Sequence, residues 1–90
     1  MRKVSIAEKN FDRLESLNEL YEAIEMGLDI EFVLYEKRYN ISWRNHKPFI
    51  CICPDGDAEF YKDTDDLLNN HCVNGIPIKK LWKDFAILSM

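Results

Sequence analysis

Between Leu14 and Leu28 the apolar residues Leu14, Leu17, Leu20, Tyr21, Ile24 and Leu28 recur at steps of three and four, and directly afterwards the period changes to two. The first spacing is one face of an α-helix, and the second marks strands with a buried side. A helix followed at once by strands buries its stripe most simply by folding back onto them, which is the α+β class.

The helix has readable ends. Ser16-Leu17-Asn18-Glu19 has capping-box spacing, in which a hydroxyl and a carboxylate satisfy free amides at a helix start. Asp12 with Glu15 offers a competing start one turn earlier. Gly27 stands where a left-handed residue ends a helix. Ile30, Phe32 and Leu34 then alternate with Glu31, Val33 and Tyr35 as a strand, Glu36-Lys37 reads as a turn, and Tyr39, Ile41 and Trp43 alternate again. Arg44 to Pro48 is a polar connection, Phe49 to Cys53 a third strand apolar on both faces, and Pro54-Asp55-Gly56-Asp57 a turn before a short strand from Ala58 to Tyr61. Links this short favour an antiparallel meander.

Asp63 or Thr64 can cap a short helix through Asn70, with Leu67 and Leu68 inward. Asn74-Gly75 is a further turn, Ile78, Leu81 and Trp82 suggest one or two helical turns, and Phe85 to Leu88 fit a closing edge strand. The expected architecture is an N-terminal helix packed on a curved antiparallel sheet of about four strands, then one or two short helices and a C-terminal edge strand. A chain of 90 residues holds one such domain, with residues 1–12 a loosely ordered lead-in.

Composition then removes several classes. The 47% apolar and 31% charged residues fit a globular chain, not a disordered one. No apolar run approaches the roughly 20 residues that span a bilayer. The first residues are basic, as in a signal peptide, but Glu8 and Lys9 stand where its apolar segment would be, so a cytoplasmic location is expected. Three cysteines, an odd number, make a poor disulfide framework and suit a reducing compartment. A net charge of −4 disfavours direct nucleic-acid binding and anionic membrane surfaces, both of which need clustered Lys and Arg.

The charge is uneven. Asp55, Asp57, Glu59, Asp63, Asp65 and Asp66 face the single base Lys62 within one segment, a net of −5, so the rest of the chain sums to +1. Glu15, Glu19, Glu22 and Glu25 add a second acidic surface on the first helix, while Lys37, Arg38, Arg44 and Lys47 make the middle hairpin basic. Such separation creates a directional field that steers toward a charged partner. These six residues are the candidate partner-binding set. A plainer reading stands beside it: Asp55 and Asp57 serve a turn, Asp63, Asp65 and Asp66 favour a helix start, and Glu59 is a solvated strand residue. An EF-hand-like count through Asp55, Asp57, Glu59 and Asp66 fails at Phe60, where the loop needs Gly.

Cys51, Cys53, His71 and Cys72 could form a zinc set on paper. One residue between ligands inside a strand splays them, however, and cysteine is more often a packing residue, so no metal or other cofactor is expected. Neither His46 nor His71 has a Ser or Cys at recognisable nucleophile spacing, and three glycines could hardly build a phosphate loop. Tyr39, Trp43 and Phe49 suggest a stacking platform, yet alternating aromatics are more often core.

Leu20 to Phe32, with Tyr35 and Lys37-Arg38-Tyr39, and again Asp66 to Asn70, Asn74-Gly75 and Ile78 to Trp82, carry a resemblance over about three-quarters of the chain. By these residues the chain resembles small, mostly uncharacterised proteins of Gram-positive bacteria and their phages, a group with no assigned activity. In size and charge it is similar to phage-encoded inhibitors of host defence nucleases. The expectation is a non-enzymatic, acidic protein-binding module, anti-CRISPR-like, that mimics nucleic acid in the basic groove of a host protein. The alternative is an accessory or structural protein acting as a homodimer through an edge strand.

Overall fold

The computed structural model describes residues 13–90, so the lead-in at residues 1–12 and the competing cap at Asp12 lie outside the described residues. Helix α1 (Leu17–Glu25) begins where the capping signal stands: the Ser16 hydroxyl accepts from the Glu19 amide at 3.1 Å. The Glu19 carboxylate accepts from the Glu15 amide at 2.7 Å, one residue earlier than the capping box would have it. At the other end Gly27 adopts φ +79°, its amide donates to Ile24 O, and the Leu28 amide donates to Ala23 O. That pair of bonds is a Schellman stop, which needs a left-handed residue between helix and strand.

Four strands follow and pair antiparallel in sequence: β1 (Ile30–Leu34), β2 (Lys37–Arg44), β3 (Lys47–Ile52) and the short β4 (Glu59–Phe60). Helix α2 (Thr64–Asn70) comes next, capped by Asp63, and then a two-residue hairpin of β5 (Cys72–Val73) and β6 (Ile76–Pro77). Two 3₁₀ turns, Ile78–Lys80 and Trp82–Asp84, lead to β7 (Ala86–Ser89), which lies antiparallel to β1. The main sheet has the order β4-β3-β2-β1-β7, an α+β arrangement with a five-stranded antiparallel sheet and two helices.

Two turns differ from the sequence reading. The first central pair is Tyr35-Glu36, not Glu36-Lys37, with φ of 52° and 67°. The second is only Asn45-His46, at 55° and 66°, so Arg44, Lys47 and Pro48 belong to strands. Positive φ at both central residues matches the twist of the flanking strands, which is why so short a link suffices. Phe85 stands just before β7, where its ring stacks on Phe32 with centroids 3.9 Å apart.

The core gathers Leu20, Ala23 and Ile24 of α1 with Ile30, Phe32, Tyr39, Ile41 and Ile50 of the sheet and Leu67 and Leu68 of α2. Phe32, fully buried between Phe85 and Tyr39, is its centre. Burying a side chain of this size contributes about 1.5–3 kcal/mol. Trp43 Nε1 donates to Ile24 O at 2.7 Å, linking β2 to α1.

Tyr35 and Glu36 hold a left-handed conformation that costs an L-residue about 1–2 kcal/mol and that Asn-Gly adopts readily. The double substitution Tyr35→Asn/Glu36→Gly should stabilise the fold by about 1 kcal/mol after the glycine's unfolded-state entropy is counted. Thermal unfolding should then show a rise of about 4–8 °C. A lower midpoint would contradict the turn assignment.

Candidate functional site

The fold divides the six predicted acidic residues into two groups. Asp63 caps α2, its Oδ1 accepting from the Asp66 amide at 2.8 Å. Asp66 accepts from the Lys62 amide at 3.0 Å and from Asn70 Nδ2 at 2.6 Å, and these two bonds hold its carboxyl below the usual range. Both residues therefore organise the start of α2 as the plainer reading expected. Asp65, between them, is exposed and turns toward α1: its charge, followed by that of Glu25, raises the Tyr21 phenol above its ordinary value.

The two acidic segments consequently meet. The buried Thr64 hydroxyl donates to Glu25 Oε2, tying the last turn of α1 to the first turn of α2. Glu25, Asp63 and Asp65 all bear on Tyr21, which makes one surface from segments some forty residues apart. Lys37, Arg38, Arg44 and Lys47 stay exposed on the β2–β3 side. Arg38 pairs with Glu31 at 2.9 Å, and Arg44 lies over the Phe49 ring at 5.0 Å and the Phe60 ring at 6.0 Å.

Asp55, Asp57 and Glu59 belong to the other group. The turn before β4 packs Gly56 so closely on β3 that a Cβ there would come within 2.5 Å of Ile52 O, while the Gly56 amide donates to that same oxygen at 2.7 Å. Only glycine fits this approach. Beside the turn opens a cavity of about 380 Å³, lined chiefly by Tyr39, Ile50, Ile52 and Val73, with Asp57 and Glu59 among its polar lining. Asp55 does not line it.

His71, at the C-terminal end of α2, forms part of the cavity wall. The Tyr61 hydroxyl lies 2.8 Å from His71 Nδ1 and Glu59 Oε1 lies 3.7 Å from it. With the hydroxyl donating, Nδ1 accepts and Nε2 carries the proton of the neutral ring. Burial lowers the His71 pKa, and the Glu59 carboxylate partly opposes that shift. The Tyr61 phenol is raised, first by burial and then by Glu59.

Of the four residues of the paper zinc set, Cys51, His71 and Cys72 line the cavity and Cys51 lies beside Cys53, yet each has its own setting. Cys51 pairs with Asn40 across β2 and β3, His71 is engaged with Tyr61, and the exposed Cys72 points its thiol toward Asn70 O at 3.8 Å. Among the described residues no group of three His, Cys, Asp or Glu side chains is placed to hold a metal. The supposed stacking platform is also divided, because Trp43 pairs with Pro48 while Phe49 pairs with Ser42, which puts Phe49 on the opposite face from Tyr39 and Trp43. Among the described residues no helix is long and apolar enough to cross a membrane.

Sequence reasoning missed the cavity and the Tyr61–His71 pair. Tyr61 and His71 stand at opposite ends of α2, and no periodic pattern connects them. The available signals were Gly56 beside an apolar strand and the Asn74-Gly75 turn, which folds β5 and β6 back beside the end of α2.

Because the folded His71 has a lowered pKa, the unfolded chain binds more protons in the window between that value and 6.5. Stability is therefore complete above that window and falls as pH drops through it. An NMR titration of His71 should give a midpoint below 6.5, and Glu59→Gln should lower it further by removing the carboxylate that opposes burial. In His71→Gln the loss of unfolding free energy between about pH 7 and 5.5 should shrink. A midpoint at or above 6.5 would contradict the burial.

Comparison with protein-family models, with curated proteins and with solved structures finds no match for the chain.

Proposed function

We propose that this is a non-enzymatic protein-binding module whose acidic surface occupies a basic groove on a partner protein. The observation that carries the reading is the Thr64–Glu25 bond, which brings the carboxylates at the end of α1 and the start of α2 together. Like charges gathered in this way repel one another, and a partner of opposite sign relieves the repulsion while being drawn in by it. The reading includes α1 packed over one face of a curved sheet, supported by the Trp43–Ile24 hydrogen bond and the shared core. With the resemblance to small proteins of Gram-positive bacteria and their phages, it extends to an inhibitor of a host nucleic-acid or defence enzyme, acting in the cytoplasm.

A second reading, a homodimer, is favoured by one feature. Strand β7 stands at the edge of the sheet and carries the exposed Leu88, with the exposed Met90 just beyond it. Edge strands with apolar side chains pair readily with a second copy. Light scattering that finds a dimer at nanomolar concentration would favour this reading over the first.

The acidic-surface reading is tested by pull-down from a Gram-positive host lysate at low salt, with the wild-type chain and with Asp63→Asn/Asp65→Asn. Asparagine keeps the cap at position 63, so the fold is retained while two charges are lost. The wild type should recover a stoichiometric partner, with the double variant and high salt each reducing recovery by about tenfold. Recovery of no partner, or recovery indifferent to both changes, would contradict the reading.

A further inference from the structure

We infer that the cavity between β3, the Gly56 turn and the end of α2 receives one basic side chain of the partner protein, an arginine in preference to a lysine. The assignment rests on the acidic-surface reading and names the point at which the partner enters the molecule.

Three properties of the cavity select this occupant. At about 380 Å³ it lies at the small end of ligand pockets, which run from about 300 to 1,000 Å³, and it has room for a long side chain. Ile50, Ile52 and Val73 give it apolar walls, which suit the methylene stem of a long basic residue. Asp57 and Glu59 contribute two carboxylates, and no lysine or arginine lines the cavity. The Glu59 side chain is 65% exposed, its neighbour His71 is 3.7 Å away, and Asp57 has no ion pair among the described residues.

Other ligand classes fit less well. An anion would meet two carboxylates of its own sign, and a wholly apolar group would strip water from them without replacing their hydrogen bonds. A guanidinium presents five donors in a planar fork and can serve both carboxylates, which a compact ammonium does less well. The turn is also built in advance. Gly56 is held against Ile52 by the hydrogen bond its amide donates to Ile52 O, so little ordering remains to be done on binding.

The test is an amide NMR titration of the full chain with N-acetyl-arginine methylamide at about pH 7.5, against N-acetyl-leucine methylamide and N-acetyl-glutamate methylamide. The arginine probe should give saturable shifts at Ile52, Gly56, Glu59, His71 and Val73, whereas the other two should not. Asp57→Asn/Glu59→Gln, whose changes are on the surface, should weaken the arginine probe at least threefold, and Val73→Arg should abolish its binding by filling the cavity from within. Equal shifts from the leucine probe, or no saturable shift up to about 50 mM arginine probe, would overturn the assignment. Pull-down separates its failure from that of the broader reading. A partner lost with Asp63→Asn/Asp65→Asn but retained by Val73→Arg leaves the acidic surface standing and removes the cavity contact. Failure to recover any partner removes the broader reading, while the probe titration still decides the cavity.

Discussion

The Thr64 hydroxyl, only 1% exposed, must have an acceptor inside the protein, and Glu25 supplies it. A buried hydroxyl left unpaired costs about 1–3 kcal/mol, a large part of what a domain this small can spare. This requirement fixes the approach of α2 to the end of α1. It also eases an awkward position for Glu25, because the last turn of α1 carries no basic residue and a carboxylate there opposes the helix dipole. Accepting a hydrogen bond at the first turn of α2 offsets that opposition. The same bond brings Asp63 and Asp65 beside Glu25, so a packing requirement and an accumulation of negative charge have one origin.

Charge is arranged at the scale of the whole molecule. The β2–β3 hairpin keeps its basic residues exposed, with Arg44 set over Phe49 and Phe60, while the helix ends carry the carboxylates. Asp63 and Asp66 stabilise the start of α2 by accepting from backbone amides, so part of the acidic pattern serves the free chain as well. The cavity beside Asp57 and Glu59 adds shape to this field. In the proposed reading, charge draws a partner in and the apolar-walled pocket discriminates among what arrives.

Much of the fold was legible because local signals agreed with tertiary demands. Ser16, the Leu20–Ile24 stripe and Gly27 define α1 from start to stop, and the alternation at Ile30, Phe32 and Leu34 reproduces the buried side of β1. Asp63 and the pair Leu67-Leu68 likewise mark α2. The errors fell where the backbone departs from residue preference. Tyr35-Glu36 carries none of the Asn or Gly that normally reveals a left-handed turn, and the polar run Arg44 to Pro48 hid a two-residue link behind residues that belong to strands. The acidic segment was visible as composition but not as geometry. Composition does not show that Asp63 and Asp66 satisfy backbone amides, that Asp57 and Glu59 line a cavity, or that Asp65 faces another helix. Those are long-range facts, set by where α2 docks.

The central claim is that the carboxylates of α1 and α2 share one surface around Tyr21, and the Tyr21 phenol reports on it directly. Its titration, followed by NMR of the ring carbon, should have a midpoint above the ordinary value near 10, because Asp65 and then Glu25 disfavour the phenolate. Asp65→Asn should lower that midpoint most, and Glu25→Gln should lower it less. A Tyr21 that titrates at its ordinary value and ignores Asp65→Asn would contradict the shared surface.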